Sequence, residues 1–341
     1  MVRPMARIRI VGTSGNDKLD ERRVGESDIF GRAGNDTIRL LRDDDLGGDN
    51  TVDAGPGKDK VLNQFEGGNV IKLGAGNDTY VGTGFSVFND SDIVRGGSGN
   101  DRIAVTTLQS SYFGDGGNDT FFSEGHSNSF SGGSGTDTID YSIRSDSNVV
   151  GDEAITVDLS QNEALTGPIK TESLTGIENA TGTRLGDILT GTDGPNVLKG
   201  IDGDDDLNGL GGNDTLLGGP GTDFIFGDAG NDTLTGNAGA DGFLFRVAPT
   251  PADADAITDF NPAEDVIGLS AAIFPGLPIG VLDASRLRIG PSASNSGHRV
   301  IYDSITGRVF FDSDGSGAAQ AELVVTIPVN LNLTPPNIEI F

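Results

Sequence analysis

Between Leu189 and Phe243 an apolar residue returns at every ninth position: Leu189, Leu198, Leu207, Leu216, Ile225, Leu234 and Phe243. That period matches neither an amphipathic helix, which repeats every 3.6 residues, nor a plain strand, which repeats every 2. It suits a very short strand that points one apolar residue inward and its neighbours outward, then turns and starts again. Two nine-residue units make one coil of eighteen, so residues eighteen apart, such as Leu189 and Leu207, stack on the same wall. The predicted architecture is all-β: a right-handed parallel β-roll built on a column of inward side chains.

The polar positions keep the same phase. Two residues before each apolar residue stands Asp187, Asn196, Asp205, Asp214, Asp223, Asp232 or Asp241. Glycine lies two before all but the first, at Gly194, Gly203, Gly212, Gly221, Gly230 and Gly239. Glycine permits a positive φ and lets bare carbonyls come close to an ion. Aspartate adds a hard anionic oxygen, which suits calcium with its six to eight oxygen ligands. Asp187, Asp205, Asp223 and Asp241 form one expected ladder; Asn196, Asp214 and Asp232 form the other.

The first 140 residues carry a looser form of the pattern, once per coil. Its acids are Asp17, Asp36, Asp59, Asp78, Asp101, Asp119 and Asp137, spaced by 19, 23, 19, 23, 18 and 18 on subtraction. Gly15, Gly34, Gly57, Gly76, Gly99, Gly117 and Gly135 again lie two before, and Leu19, Ile38, Val61, Tyr80, Ile103, Phe121 and Ile139 two after. Stepping back nine from each later acid gives Ser27, Asn50, Asn69, Asp92, Ser110 and Asn128, each followed two residues on by a core candidate: Ile29, Val52, Ile71, Val94, Tyr112 or Phe130. This opposite wall keeps its strands and loses most of its acids, so its polar residues are read as ordinary turn residues. A 42-residue super-repeat relates Asp17, Asp59 and Asp101, and its extra residues place edge loops around Leu40 to Leu46 and Val81 to Phe88.

Charge sharpens the case for metal. Acids outnumber bases 51 to 23 and there are 53 glycines in 341 residues, a composition that without the repeat would suggest disorder. Stacked carboxylates about 4.8 Å apart repel by about 3.5 kcal/mol per pair at an effective dielectric near 20. A few such pairs match the whole net stability of a typical domain, about 5–15 kcal/mol. The metal-free chain is therefore expected not to stay folded. Six acid-to-acid steps in the first array and four in the second call for about ten Ca2+ ions, the metal ligands being the thirteen aspartates of the two arrays with their glycines. The chain has no cysteine, which excludes disulfides and thiolate sites. The acidic balance argues against nucleic acid, whose binders neutralise phosphate with Lys and Arg.

A nonapeptide of the form G-G-x-G-x-D-x-U-x resembles the calcium-binding repeat of RTX proteins. Segments such as GADGFLF, ITDFNPAEDVIGLS and YDSITGRVFFDSDGSGAA resemble the carboxy-terminal region shared by secreted RTX proteins, the serralysin proteases among them. The resemblance implies that this region caps the roll with antiparallel strands and carries an uncleaved signal for a type I secretion exporter. Asn337, Ile338, Glu339, Ile340 and Phe341, an acid followed by terminal hydrophobics, agree with it. GIENATGTRLGD is similar to the spacer that leads into such arrays, and Glu178, nine before Asp187, hints that the coil resumes there. The expected organisation is a roll over 1–140, a spacer over 141–186, the regular array over 187–245 and a cap with export signal over 246–341.

The amino terminus, MVRPMARIRIVGTSG, shows no apolar core of signal-peptide length, and no run approaches the eighteen apolar residues of a membrane span. His126 and His298, the only histidines, belong to no HExxH helix, so the protease resemblance stops short of catalysis and both are expected at the surface. Asp312, Ser313, Asp314 and Gly315 lack the spacing and closing Glu of an EF-hand and read as a hairpin turn, with Asp259 and Asp265 as turn or cap residues. The leading expectation is a secreted, non-enzymatic protein that folds on extracellular calcium, with a structural or adhesive role and a cell-surface or matrix glycan as its partner. The alternative is a lyase or epimerase of polysaccharide using Tyr80, Tyr112 or His126, although the repeat phase turns both tyrosines inward.

Overall fold

The computed structural model describes residues 7–21, 26–41, 49–64, 68–83, 91–144, 154–167, 170–250 and 253–341. Among these residues there is no α-helix; a single 3-10 turn, Pro335–Asn337, interrupts a succession of short strands. The chain divides into two compact units, Met1–Thr181 and Gly182–Phe341. Each is a parallel β-solenoid.

In the first unit, one wall stacks Lys18–Asp20, Thr37–Leu40, Lys60–Asn63, Thr79–Gly82, Arg102–Val105, Thr120–Ser123, Thr138–Asp140 and Asn179–Thr181 in parallel. The other stacks Ile8–Val11, Ser27–Phe30, Thr51–Pro56, Val70–Ala75, Ile93–Ser98, Ser111–Gly116, Ser129–Ser134 and Thr171–Thr175. Unequal spacings of the acids do not disturb the register, since Leu19 pairs with Ile38, Ile38 with Val61, Val61 with Tyr80 and Tyr80 with Ile103. The extra residues are thus absorbed between strands. The two expected edge loops fall chiefly on 42–48 and 84–90, outside the described residues.

Period-2 alternation within each strand decides what is inside. Ile29, Val52, Ile71, Val94, Tyr112 and Phe130 are fully buried from one wall, as are Ile38, Val61, Tyr80, Ile103, Phe121 and Ile139 from the other. The stripes meet across the interior, with Tyr80 and Tyr112 ring centroids 6.1 Å apart and Phe121 and Phe130 5.4 Å apart. Near the end of this unit the chain makes an antiparallel excursion, Thr156–Asp158 to Glu163–Leu165 to Thr171–Thr175, whose last strand returns to the stack beside Ser129–Ser134.

The second unit stacks Ile188–Thr190, Asp206–Asn208, Phe224–Phe226, Gly242–Phe245, Val266–Leu269 and Ile338–Ile340 on one wall. Its other wall holds Val197–Lys199, Thr215–Pro220, Thr233–Ala238, Asp255–Ile257 and Glu322–Thr326. From there the sheet turns antiparallel through Arg308–Phe311 and Val300–Asp303. The carboxy-terminal residues therefore close both walls, and Ile338 and Ile340 are buried in doing so.

Candidate metal-binding ladders

The ladder acids sit inside the turns that join the walls. Asp36, Asp59, Asp78, Asp101, Asp119 and Asp137 in the first unit, and Asp187, Asp205, Asp214, Asp223, Asp232 and Asp241 in the second, are at most 3% exposed. Each uses one carboxylate oxygen to fix the stacking. In the first unit the backbone N–H of Asp17, Asp36, Asp59, Asp78, Asp101 and Asp119 donates to Oδ1 of the next acid along, at 2.7–2.8 Å. Glu178 takes the following rung, its Oε2 accepting the N–H of Asp137 at 2.7 Å. In the second unit Asp187, Asp205, Asp223, Asp241 and Asp265 are linked in the same way, as are Asn196, Asp214, Asp232 and Asp255.

The second oxygen is different. Oδ2 of Asp36, Asp59, Asp78, Asp101, Asp119, Asp137, Asp205, Asp214, Asp223, Asp232 and Asp241 is buried and meets no hydrogen-bond donor. A buried charged oxygen without a partner is costly, so eleven of them in register call for a cation or a proton. The backbone around each is shaped to leave room. In these eleven turns the residue four before the acid and the residue two before it both have positive φ, as at Gly97 (108°) and Gly99 (118°). Side chains do not prevent this conformation, since Arg32 (78°) and Ile201 (102°) also adopt it at the earlier position.

The residue five before the acid points at Oδ2. A Cβ on Gly96 would overlap both Asp101 Oδ2 and the Gly114 carbonyl oxygen, and Gly114, Gly132, Gly200, Gly209, Gly218, Gly227 and Gly236 are crowded by their own ladder acid in the same manner. Each such turn thus sets a carboxylate oxygen at a place where no side chain fits, and at Gly96, Gly114, Gly132, Gly200 and Gly209 a carbonyl oxygen from a neighbouring coil stands beside it. Among the described residues no three acidic or histidine side chains converge on one point. A bound ion would therefore take carboxylates from the ladder together with backbone carbonyls, a hard all-oxygen set that fits calcium.

The family profile for the RTX calcium-binding nonapeptide repeat (4 copies) matches residues 25–46, 66–86, 88–104, 111–140, 181–216 and 217–243. A solved structure of the AlgE6R3 subunit from the Azotobacter vinelandii mannuronan C5-epimerase is 30% identical over 45% of this chain and 77% of that one, with a TM-score of 0.26. The chain belongs to the RTX calcium-binding repeat family. The crystal structure of the extracellular lipase LipA from Serratia marcescens is also similar, at 18% identity over 78% of this chain and a TM-score of 0.17, and this chain covers 40% of that lipase. No curated protein sequence matches.

Three RTX turns stand apart from the eleven. At Asp17 and Asp187, Oδ2 is occupied by both the N–H and the hydroxyl of the threonine four residues earlier, Thr13 at 2.6 and 3.0 Å and Thr183 at 2.5 and 3.0 Å. Thr192 does the same to Asn196 Oδ1, at 2.6 and 3.2 Å. None of these threonines has a positive φ, and neither does Gly15 or Gly194. Each is the first turn of its ladder, so a G-T-x-x-x-D/N head closes the oxygen with protein donors. Two further turns, those of Asp59 and Asp78, carry buried Ala54 and Leu73 where the others carry glycine.

The opposite wall of the first unit carries no open carboxylate among the described residues. Ser27, Asn50, Asn69, Asp92, Ser110 and Asn128 are buried, and they form a polar spine of their own. N–H groups of Ser27, Asn50, Asn69, Asp92 and Ser110 each donate to the next side chain in the series, at 2.8–3.0 Å. Asn amides also bond sideways, Asn50 Nδ2 to Asn69 Oδ1 at 3.0 Å and Asn69 Nδ2 to Asp92 Oδ1 at 2.9 Å. Asp92 Oδ2 accepts from Asn63 Nδ2 at 2.7 Å, so this wall offers an ion no bare carboxylate. Its last rung is Glu172, fully buried and held by Ser123, Asn128 and the Tyr141 hydroxyl. Burial pushes the Glu172 carboxyl up to about 7.

Other singled-out residues lie away from the ladders. His126 is half-buried beside Ser127, and His298 contacts Ser294 and Asn295. Asp312 accepts the N–H groups of Asp314 and Gly315 in the turn between Arg308–Phe311 and Glu322–Thr326. Asp259 accepts those of Gly236 and Asn237. Asp265, expected only as a turn or cap residue, is instead a rung, and Asp255 is a rung that the nine-residue period passes over. The glycine five before the acid is the first letter of the repeat formula, a signal present in the sequence and not used.

Burial, followed by neighbouring carboxylates, raises the acids' affinity for protons: Asp205 to about 8, Asp101, Asp214 and Asp223 to about 7, and Asp59, Asp137 and Asp241 to about 6. Unfolded aspartate titrates near 3.9, so the folded chain binds protons more tightly than the unfolded one. The resulting stabilisation is complete below about pH 4 and is lost as pH rises through about 6 to 8. In chelator, strand content by circular dichroism is therefore expected to be higher at pH 5 than at pH 8; the reverse order would contradict this assignment. Gly96→Ala is expected to destabilise the calcium-loaded protein in urea unfolding by about 1–3 kcal/mol. Gly15→Ala serves as the control, since its Cβ would meet nothing nearer than Thr13 Oγ1 at 3.8 Å.

Proposed function

We propose that this chain is a structural RTX protein whose two ladders fill with calcium and which reaches its folded state only when they are filled. The observation that carries the reading is the set of eleven buried, unpartnered Oδ2 atoms. They support the expectation of about ten ions in the gaps between the stacked aspartates of the two arrays. Asp17 and Asp187 then contribute as the threonine-headed ends of their ladders.

The same physics supports a role outside the cell. Ile338 and Ile340 are buried once the cap has closed, so an export signal in the last residues is legible only before folding. A chain that needs abundant calcium to fold stays open to a type I exporter in a calcium-poor interior and closes after release. A structural or adhesive role, with a glycan as a partner, follows as the use of such a scaffold. Tyr80 and Tyr112 are in the core and do not line a groove for polysaccharide, which leaves His126 of the three residues considered for a lyase or epimerase.

Titration of chelated protein at pH 7.5 with calcium, followed by far-ultraviolet circular dichroism, tests the reading. Cooperative gain of strand signal by millimolar calcium is the expected result, with magnesium much less effective because it demands a tighter octahedral shell. Unchanged spectra in chelator and in calcium would defeat it.

A further inference from the structure

The acid ladder on one wall of the second unit does not stop where the nonapeptide array stops. The family match ends at residue 243, but Asp255–Ile257 pairs in parallel with Thr233–Ala238, setting Ala256 against Thr233 and Ile257 against Leu234. That register puts Asp255 directly over Asp232. Asp255 is 4% exposed, and its Oδ1 accepts the Asp232 N–H at 3.0 Å, as at every rung below. The outer positions continue as well, with Ala254 N–H on Asn231 Oδ1 at 2.8 Å and Gly230 N–H on Asp253 Oδ1 at 3.1 Å.

Two features set this last gap apart. Asp232 Oδ2 is 1% exposed as a residue and has no donor. Asp228 and Asp253 add negative charge nearby; Arg246 offsets only Asp228, which it pairs at 2.5 Å. On the far side of Asp255 the register brings Val325, so no further carboxylate follows.

We propose a calcium site between Asp232 of the array and Asp255 of the cap, completed by backbone carbonyls, through which the ion fastens the carboxy-terminal cap to the roll. The site rests on the calcium reading above and extends it beyond the nonapeptide repeat. Asp255 is the cap's contribution. Thr250 Oγ1 on Asp253 Oδ2 holds the approaching loop, which makes Asp253 a positioning residue rather than a ligand.

Native mass spectrometry of the full chain, with calcium counted in wild type and Asp255→Asn, tests it. The substitution keeps an oxygen to accept the Asp232 N–H and removes only the charge. One ion fewer than wild type is the expected result, with amide exchange in calcium faster for the cap strands Asp255–Ile257 and Glu322–Thr326 while Ile188–Thr190 and Val197–Lys199 stay protected. An unchanged ion count would overturn the site and leave the calcium reading intact. Should the variant not fold, Asp255→Ser decides by the same ion count, since its hydroxyl oxygen can still accept the Asp232 N–H without carrying the charge. An unchanged count there would equally overturn the site, and a wild type that takes up no calcium at all would remove the parent reading with it.

Discussion

Everything in this molecule turns on a carboxylate that is half satisfied. One oxygen of each ladder aspartate accepts the backbone N–H of the neighbouring coil, and this bond fixes the rise and register of the stack. The same bond holds the side chain in place, so the second oxygen cannot swing out to water. A carboxylate has no proton to offer and can only accept. Its remaining oxygen must therefore find a cation or be protonated, and the repeat makes that demand turn after turn. The proposed calcium dependence of folding rests on that demand.

The two walls of the first unit show what the demand consists of, because both stack their strands in parallel and fill their rungs differently. Where asparagine occupies the rung, each side chain accepts from one coil and donates to the next. Where aspartate occupies it, acceptance is satisfied and nothing is donated. Donor-bearing neighbours, and a turn whose positive φ lies one residue before the rung as at Gly68, Gln109 and Ser127, separate the asparagine wall from the one whose Oδ2 atoms stay open. In that unit the open carboxylate oxygens are confined to one side. In the second unit both walls carry acids, so neither provides a permanent spine.

Much of this was legible in the sequence because the period is so strict. Leu198, Leu216 and Leu234 announce their inward stripe, and the aspartates two residues earlier announce the ladder. What stayed hidden has physical causes. Asn50 and Asn69 belong to a residue class that favours turns, and a sequence shows residue class but not burial, so their place in a buried spine was hidden. Asp255 and Asp265 sit 23 and 24 residues beyond their partners, an offset absorbed between strands where the register is indifferent to loop length. The excursion through Thr156–Asp158 and Glu163–Leu165 leaves and re-enters the stack without a periodic trace, and only Glu178 marked the return.

The ends of the ladders follow from the same constraint. A stack of half-satisfied carboxylates cannot stop on a bare acid without leaving one oxygen buried and unmet, so each terminus needs a donor of its own. Thr13, Thr183 and Thr192 supply two donors apiece at the three starts. At one finish Asn261 N–H meets Asp265 Oδ2 at 2.7 Å, and no positive φ is recorded at Asn261. The turn that opens around an ion and the turn that closes on a threonine or asparagine N–H are thus two solutions to one problem. Which of them forms is set four residues ahead of the acid, so the reach of the metal-dependent region is written in the local sequence of its first and last turns rather than in the repeat itself.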